Sequence, residues 1–493
     1  RRWYRYHHLF AGLLRQRLWQ QDPALVAELH RRASHWFEEN AFLSEAFDHA
    51  IAAEDFTRAG AIVATHSSVL YRRGEGMLVA EWFTQLPQPI IFADPTLCLA
   101  RAWISYFGQR PQEIEQYLTQ IEEQYRDGME RHVQKRLRSS VAGLRGWAAY
   151  ATGRLDRALT LCHEALALAD AEQNSWRGLV TLFLASALRE QGATVQAARV
   201  AENGIQLSRS AGNLSAGLGA VYHLAECYRL LGQLHKAQVS VDAALTYAAQ
   251  HAAERAQDVG YVLVAQAELH YERNELHECG QALARCAEIT RWRSTKSTVP
   301  AAICQARLQL AQGNPHEAHT ALIRAQQELR SWEAEQEVTH IAAHIAMLQL
   351  AMQETAAVTY WQQKTRLDTQ SPATYANELV LMTVARLLIA QGVDEGQPAF
   401  TAALGLLERL YQNAKSATRN GRVIEIRILQ ALTRWAAGEE QAALTALGEA
   451  LVLAEPEGYI RTFVDEGAPM AQLLYKAAAQ QLLPDYVGRL LAA

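Results

Sequence analysis

Punctuation is what this chain has least of. Among 493 residues there are only 12 prolines and 28 glycines, too few for the many tight turns that a sandwich or barrel requires. Cysteine pattern is also missing: Cys98, Cys162, Cys227, Cys279, Cys286 and Cys304 form no C-x-x-C pair and no finger spacing. That argues against a disulfide framework and a zinc module and fits a reducing cytosol. No run of about 18 apolar residues offers a bilayer span, and Arg1 to His8 are polar and basic rather than a secretory leader, so a soluble, cytoplasmic chain without membrane contact is expected. Charge of one sign is lacking as well. With 47 basic and 52 acidic residues the net is -5, which draws the chain toward neither nucleic acid nor anionic lipid. No G-x-x-x-x-G-K-[ST] loop occurs; the nearest fragment, Thr295 to Thr298, has none of the glycines whose amides cradle phosphate.

What the chain does have is apolar material, 49% of its residues, arranged in a long internal period. Gly153, Gly192, Gly232 and Gly313 serve as markers. Five residues after them stand Ala158, Ala197, Ala237 and Ala318, and twelve after them stand Ala165, Gly204, Ala244 and Ala325. Asn274 fills the marker position between Gly232 and Gly313, with Cys279 and Cys286 at the same offsets, and the series continues at Gln353, Gly392 and Gly438, the last with Ala443 and Ala450. Seven residues before the eight markers lie Gly146, Ala185, Ala225, Ala267, Ala306, Ala346, Ala385 and Ala431, all small. Two helices approach to about 8 Å only where side chains are small, so this spacing predicts helical hairpins whose turns are the markers and whose seams are the small residues. Each pair carries an apolar stripe that only stacking on the next pair can bury.

In the repeat of Gly232 the match reaches a known signature: Leu224, Ala225, Tyr228, Gly232, Ala237 and Ala244 stand where TPR repeats carry Leu, Gly or Ala, Tyr, Gly, Ala and Ala. Arg145 and Gln266 depart from it elsewhere. The expected fold is therefore all-α, a TPR-like α-α superhelix, or solenoid of antiparallel helix pairs, with about 40 residues per repeat. Upstream, LCLARAWISYFGQRPQEIEQYL reads as another first helix ending near Gly108, residues 33 to 64 read as amphipathic helices, and Pro87, Pro89 and Pro95 mark a join at 86 to 96.

The two ends carry a family resemblance. WYRYHHLFAGLLRQRL with RASHWFEENAFLSEAFDHAIAAEDFTRA resembles the junction between the winged-helix end of the ATPase module and the helical region of MalT-like, large ATP-binding LuxR-type regulators. GRVIEIRILQALTRWAAGEEQAALTALGEALVLAEPEGYIRTFVDEGAPMAQLL resembles the last helical pairs before the LuxR-type DNA-binding domain of the same family. The resemblance implies a division into residues 1–30 at the ATPase-module junction, a helical linker at 31–96, the superhelical sensor at 97–455 and a helical segment at 456–493 leading to an absent DNA-binding domain. It implies a signal-sensing segment of a bacterial transcription activator, whose partner is a small-molecule inducer or a regulatory protein. Self-association belongs to the full-length regulator, DNA is met only through the absent domain, and ATP only in the absent ATPase module, so no cofactor is expected in this chain. The competing class is a generic TPR scaffold for protein–protein interaction.

Local chemistry points away from an enzyme. His340 and His344 have the i, i+4 spacing of metal ligands but lack a third ligand and the Glu of the zinc-protease motif. HEAH at 316–319 includes the structural Ala318 of its repeat, and Cys279 and Cys286 occupy positions that demand small residues. No nucleophile stands beside a base. In TPR-type superhelices the first helices build the concave wall, and residues three and six before each marker, with those near ten and thirteen before, point into it. Over the first four repeats this selects Trp147, Tyr150, Arg189, Tyr222, Glu226, Arg229, Tyr261, Glu268 and Tyr271 as candidate ligand contacts. Aromatic faces with interspersed Arg and Glu suit a polar small molecule or sugar.

Overall fold

Helix after helix in this protein ends in the same way. At Gly192 the chain turns left-handed, with φ of 85°, while the Gly192 amide bonds back to the Arg189 carbonyl at 2.9 Å and the Ala193 amide to the Leu188 carbonyl at 2.9 Å. That is the Schellman pattern, which satisfies two carbonyls that the end of a helix leaves orphaned. It recurs at Gly232, Asn274, Gly313, Gln353 and Gly438, each with φ between 62° and 81°. The markers of the repeat are thus the left-handed caps of first helices, and Gly153 shares the conformation with φ of 72°.

The computed structural model describes residues 8–72, 75–108, 110–124, 130–251, 258–289, 295–331 and 335–493. The start of the expected ATPase-module junction, residues 1–7, lies outside the described residues. Every regular element among the described residues is a helix, and none is a strand. The fold is all-α and TPR-like, built of consecutive helix pairs such as Asn174–Glu190 with Thr194–Ser210 and Leu214–Leu230 with Leu234–Gln250. All the small residues seven before the markers are buried, as are those five and twelve after the markers from Ala158 and Ala165 through Ala318 and Ala325, and Ala443 and Ala450.

Gly392 departs from the expectation. It lies inside the helix Glu378–Glu395, and the left-handed turn comes four residues later at Gly396, with φ of 81°. Glycine is demanded at Gly392 by approach rather than by turning, because a Cβ there would sit 2.3 Å from Cε1 of Phe400. The same region holds a stretch, Tyr375–Val393, long and apolar enough to meet the size of a membrane span, although no such run was expected from the sequence. Its Leu381, Val384 and Ala385 are core residues, packed with Leu406, Leu407 and Leu410 of the next helix, so half of the stretch is already buried inside the fold.

The helices form two compact units, residues 1–152 with 163–170 and residues 153–162 with 171–493. In the first, the short helix Gln88–Ala93 occupies the expected join at 86–96, and Phe47 stacks on Trp82 in the core with ring centroids 4.9 Å apart. In the second, late repeats pack on the turns of early ones. A Cβ at Gly421 would meet the Arg229 carbonyl at 2.2 Å, and one at Gly232 would meet Asn420 Cβ and Gly421 N at 3.0 Å. Residues nearly two hundred positions apart therefore touch through bare backbone.

Candidate functional site

Because each first helix ends in the same kind of turn, equivalent positions counted back from that turn on successive first helices face the same side, and in the second unit that side is ionic. Helix Asn174–Glu190 brings Arg189 and Glu190, joined at 2.5 Å. Helix Leu214–Leu230 brings Tyr222, Glu226 and Arg229, with Arg229 Nη2 donating to Glu226 at 2.9 Å. Helix Val259–Glu272 adds Tyr261, Glu268 and Tyr271, and the rings of Tyr222 and Tyr261 lie 6.2 Å apart.

The centre of this wall is a pair of carboxyls that hydrogen-bond each other. Burial raises Glu268 well above the ordinary carboxylate range, and the Glu226 charge adds to the effect; Glu268 is the protonated donor. Burial would raise Glu226 too, but Arg229 overcomes it by charge and hydrogen bond, with help from Glu268 and Arg189, and holds Glu226 at about 2. Oε2 of Glu268 is buried and receives no hydrogen bond from an N–H or O–H of a described residue. Tyr222 stays a neutral phenol because it is buried and faces both glutamates.

The wall continues beyond the repeats from which the candidates were drawn. Arg307 stands six residues before Gly313 and His340 thirteen before Gln353, the offsets already used for Glu226 and Tyr261; extending the count by two repeats would have found both. His340 is accessible and His344 half-buried, their rings 5.2 Å apart. His340 is lowered to about 4, first by desolvation within the groove, with Glu190 opposing and Arg189 and Arg422 reinforcing; His344 is lowered by burial, then by His340, Arg307, Arg422 and Arg229. Both imidazoles are neutral at pH 7. Arg422, which is ion-paired with Glu378 at 2.6 Å and donates to Glu425 at 2.5 Å, comes from the helix Asn420–Ala436. Among the described residues no three His, Cys, Asp or Glu side chains are grouped to hold a metal.

Other candidates sit differently from the expectation that they face an open groove. Trp147 belongs to the first unit and is fully buried, its ring edge-on to Tyr106 at 5.0 Å; Tyr150, in the same unit, is half-buried. Trp147 is a core residue because the apolar stripe of its helix, with Val141, Leu144 and Ala148, runs through the same side. Tyr222 and Tyr271, at 7% and 1% exposure, are also enclosed rather than open. Tyr271 donates to Asp465 at 3.0 Å and carries the Arg307 guanidinium 4.3 Å above its ring.

Asp465 belongs to a strap, residues 455–467, that crosses the ends of these first helices. Ile460 N donates to the Glu272 carbonyl at 2.9 Å, Thr462 N to Glu272 Oε1 at 2.7 Å, and the Tyr459 hydroxyl to the Arg229 carbonyl at 3.2 Å. Arg307 reaches Asp465 at 3.5 Å. The EPEGYIRTFVDEG segment therefore ties the end of the repeats to the wall.

These features define a TPR-like helical-repeat scaffold with an ionic wall on its first helices. The family model described as MalT-like TPR region matches residues 139–480, and the chain belongs to that family. It is similar to the HTH-type transcriptional regulator MalT of Klebsiella pneumoniae strain 342, 24% identical over 98% of this chain and 52% of the relative. It is equally similar to that of Yersinia pestis strain Pestoides F, 24% identical over 98% of this chain and 53% of the relative. The chain thus spans about half the length of the curated relatives it matches. Among solved structures, a Rap protein complexed with Competence and Sporulation Factor shares the fold, with a TM-score of 0.52, 10% identity, and coverage of 74% of this chain and 98% of that one.

Proposed function

We propose that this chain is the signal-sensing segment of a MalT-like transcription regulator and that its signal, a polar small molecule or a regulatory protein, is held on the ionic wall of the second unit. The observation that carries this reading is the convergence of Arg189, Glu226, Arg229, Glu268, Arg307 and His340 from five successive first helices, joined by Arg422 from a later one. Ion pairs alone do not account for such a wall, because a row of apolar side chains would pack the same helices at lower desolvation cost. Charged groups that offer both donors and acceptors suit a ligand with hydroxyls or with charges of either sign. In this reading the segment is not an enzyme, works in the cytoplasm, and meets DNA and ATP only through other modules of a longer regulator, which self-associates.

A ligand that binds the folded state alone must raise its melting temperature. The test is a thermal-shift screen of sugars, metabolites and short peptides, followed by calorimetry of each hit on wild type and on R189A and H340A. The expected result is a hit weakened about tenfold or more by both substitutions. Unchanged affinity in both variants would place the signal elsewhere on the chain.

A further inference from the structure

The wall does not use two thiols that the repeats bring together. Cys279 lies on the second helix Leu276–Ile289, five residues after its turn, where other repeats have alanine, and Cys304 lies on the next first helix, Thr295–Ala311. Their Sγ atoms are 3.7 Å apart, and both side chains are buried, packed with Ala267, Tyr271, Ala282, Leu283 and Leu308. Cys286, by contrast, donates to the Gly260 carbonyl at 3.4 Å. To become a disulfide the two sulfurs must close by about 1.7 Å, toward a bond of about 2.05 Å.

We propose that Cys279 and Cys304 form a redox modification site, a dithiol that peroxide or a small disulfide oxidises to a bond between adjacent repeats and that thiols reduce again. The pair is chemically unequal. The hydrogen bond from Cys304 lowers the Cys279 thiol, burial opposes, and Arg307 assists, whereas the same bond and burial raise Cys304. Cys279 is therefore the nucleophile. Its thiolate attacks one peroxide oxygen, the O–O bond breaks, and the departing hydroxide takes the proton released by Cys279 to leave as water. The Cys304 sulfur then attacks the sulfenic Cys279, the S–O bond breaks, and the second hydroxide leaves with the Cys304 proton as water. Two thiols lose two electrons and one peroxide becomes two waters. Arg307 stands one turn beyond Cys304 on the same helix, so the bond would fix the helix that reaches both the wall and Asp465.

The test treats the full chain with hydrogen peroxide or with oxidised glutathione, alkylates remaining thiols in denaturant and maps peptides without reduction. The expected result is one linked peptide pair joining Cys279 to Cys304, with a rise in melting temperature that dithiothreitol reverses. C286A keeps the link, and C279A and C304A lose it. Closure by peroxide alone supports the site and restricts it to small oxidants. Both thiols still open to alkylation, links among other cysteines, or unlinked sulfinic and sulfonic acids would overturn it, and the wild-type map decides this even if a variant does not fold.

Discussion

Glu226 and Glu268, on the first helices of consecutive pairs, hold one proton between two carboxyls, with the half-buried Glu268 as donor and the buried Glu226 as the ionised acceptor beside Arg229. The folded chain binds at Glu268 a proton that the unfolded chain releases near the ordinary 4.5. That contribution to stability is complete below 4.5 and is lost as pH rises through the raised folded value. Glu226 behaves oppositely, losing its contribution only as pH falls toward about 2. From the ordinary 4.5 up to the raised folded value of Glu268 the pair therefore destabilises the fold with rising pH. E268Q keeps a permanent donor of similar shape, and its melting temperature should fall less than that of wild type over this range. Parallel curves would remove the shared proton from the account.

The left-handed caps predict opposite signs for two substitutions. Gln353 holds φ of 62°, a conformation that costs a side-chain-bearing residue about 1 kcal/mol, so Q353G should raise the denaturation midpoint. Gly232 holds φ of 73°, and a Cβ there would press on Asn420 and Gly421, so G232A should lower stability by about 1 to 3 kcal/mol. If both variants melted like wild type, the turns would not be strained as described.

Much of this was legible from spacing. A left-handed cap favours Gly or Asn, and a close helix seam favours Gly, Ala or Cys, so Gly192, Asn274 and Cys279 announce their places in any sequence that repeats them. Gly392 misleads because glycine serves two needs, turning and close approach, and only the position of Phe400 tells which. Trp147 misleads for a related reason: an offset from the marker fixes the side of the helix but not what packs against it, and Tyr106 lies about forty residues upstream. The strap on Glu272 and the contact of Gly421 with Arg229 join repeats far apart in the chain, and no local period records them.

The strap yields a third prediction. Asp465 accepts from the Tyr271 hydroxyl and faces both Arg307 and Arg461, so removing it strips several groups of their acceptor at once. Y271F, which loses a single hydrogen bond, should cost about 1 kcal/mol, and D465A should cost more. Chemical denaturation of both variants checks the order. Equal midpoints for D465A and wild type would mean that the strap is not held through this carboxylate.

Binding is the property for which the choice of variant matters most. Trp147 is fully buried, and W147A should cost about 3 to 5 kcal/mol of stability, so weaker ligand binding in that variant would report a damaged core rather than a lost contact. His340 offers the cleaner probe. Its ring is accessible and is neutral at pH 7, and surface substitutions of this kind change stability by no more than about 0.5 kcal/mol. H340A should therefore melt within a degree or two of wild type while losing about 1 to 3 kcal/mol of affinity for any ligand that spans the wall from Arg189 to Arg422. Calorimetry with a screened ligand, beside a thermal melt of the same sample, separates the two quantities. A variant that melts normally and binds as tightly as wild type would exclude His340 from the contact, and the same result in R189A would exclude the wall.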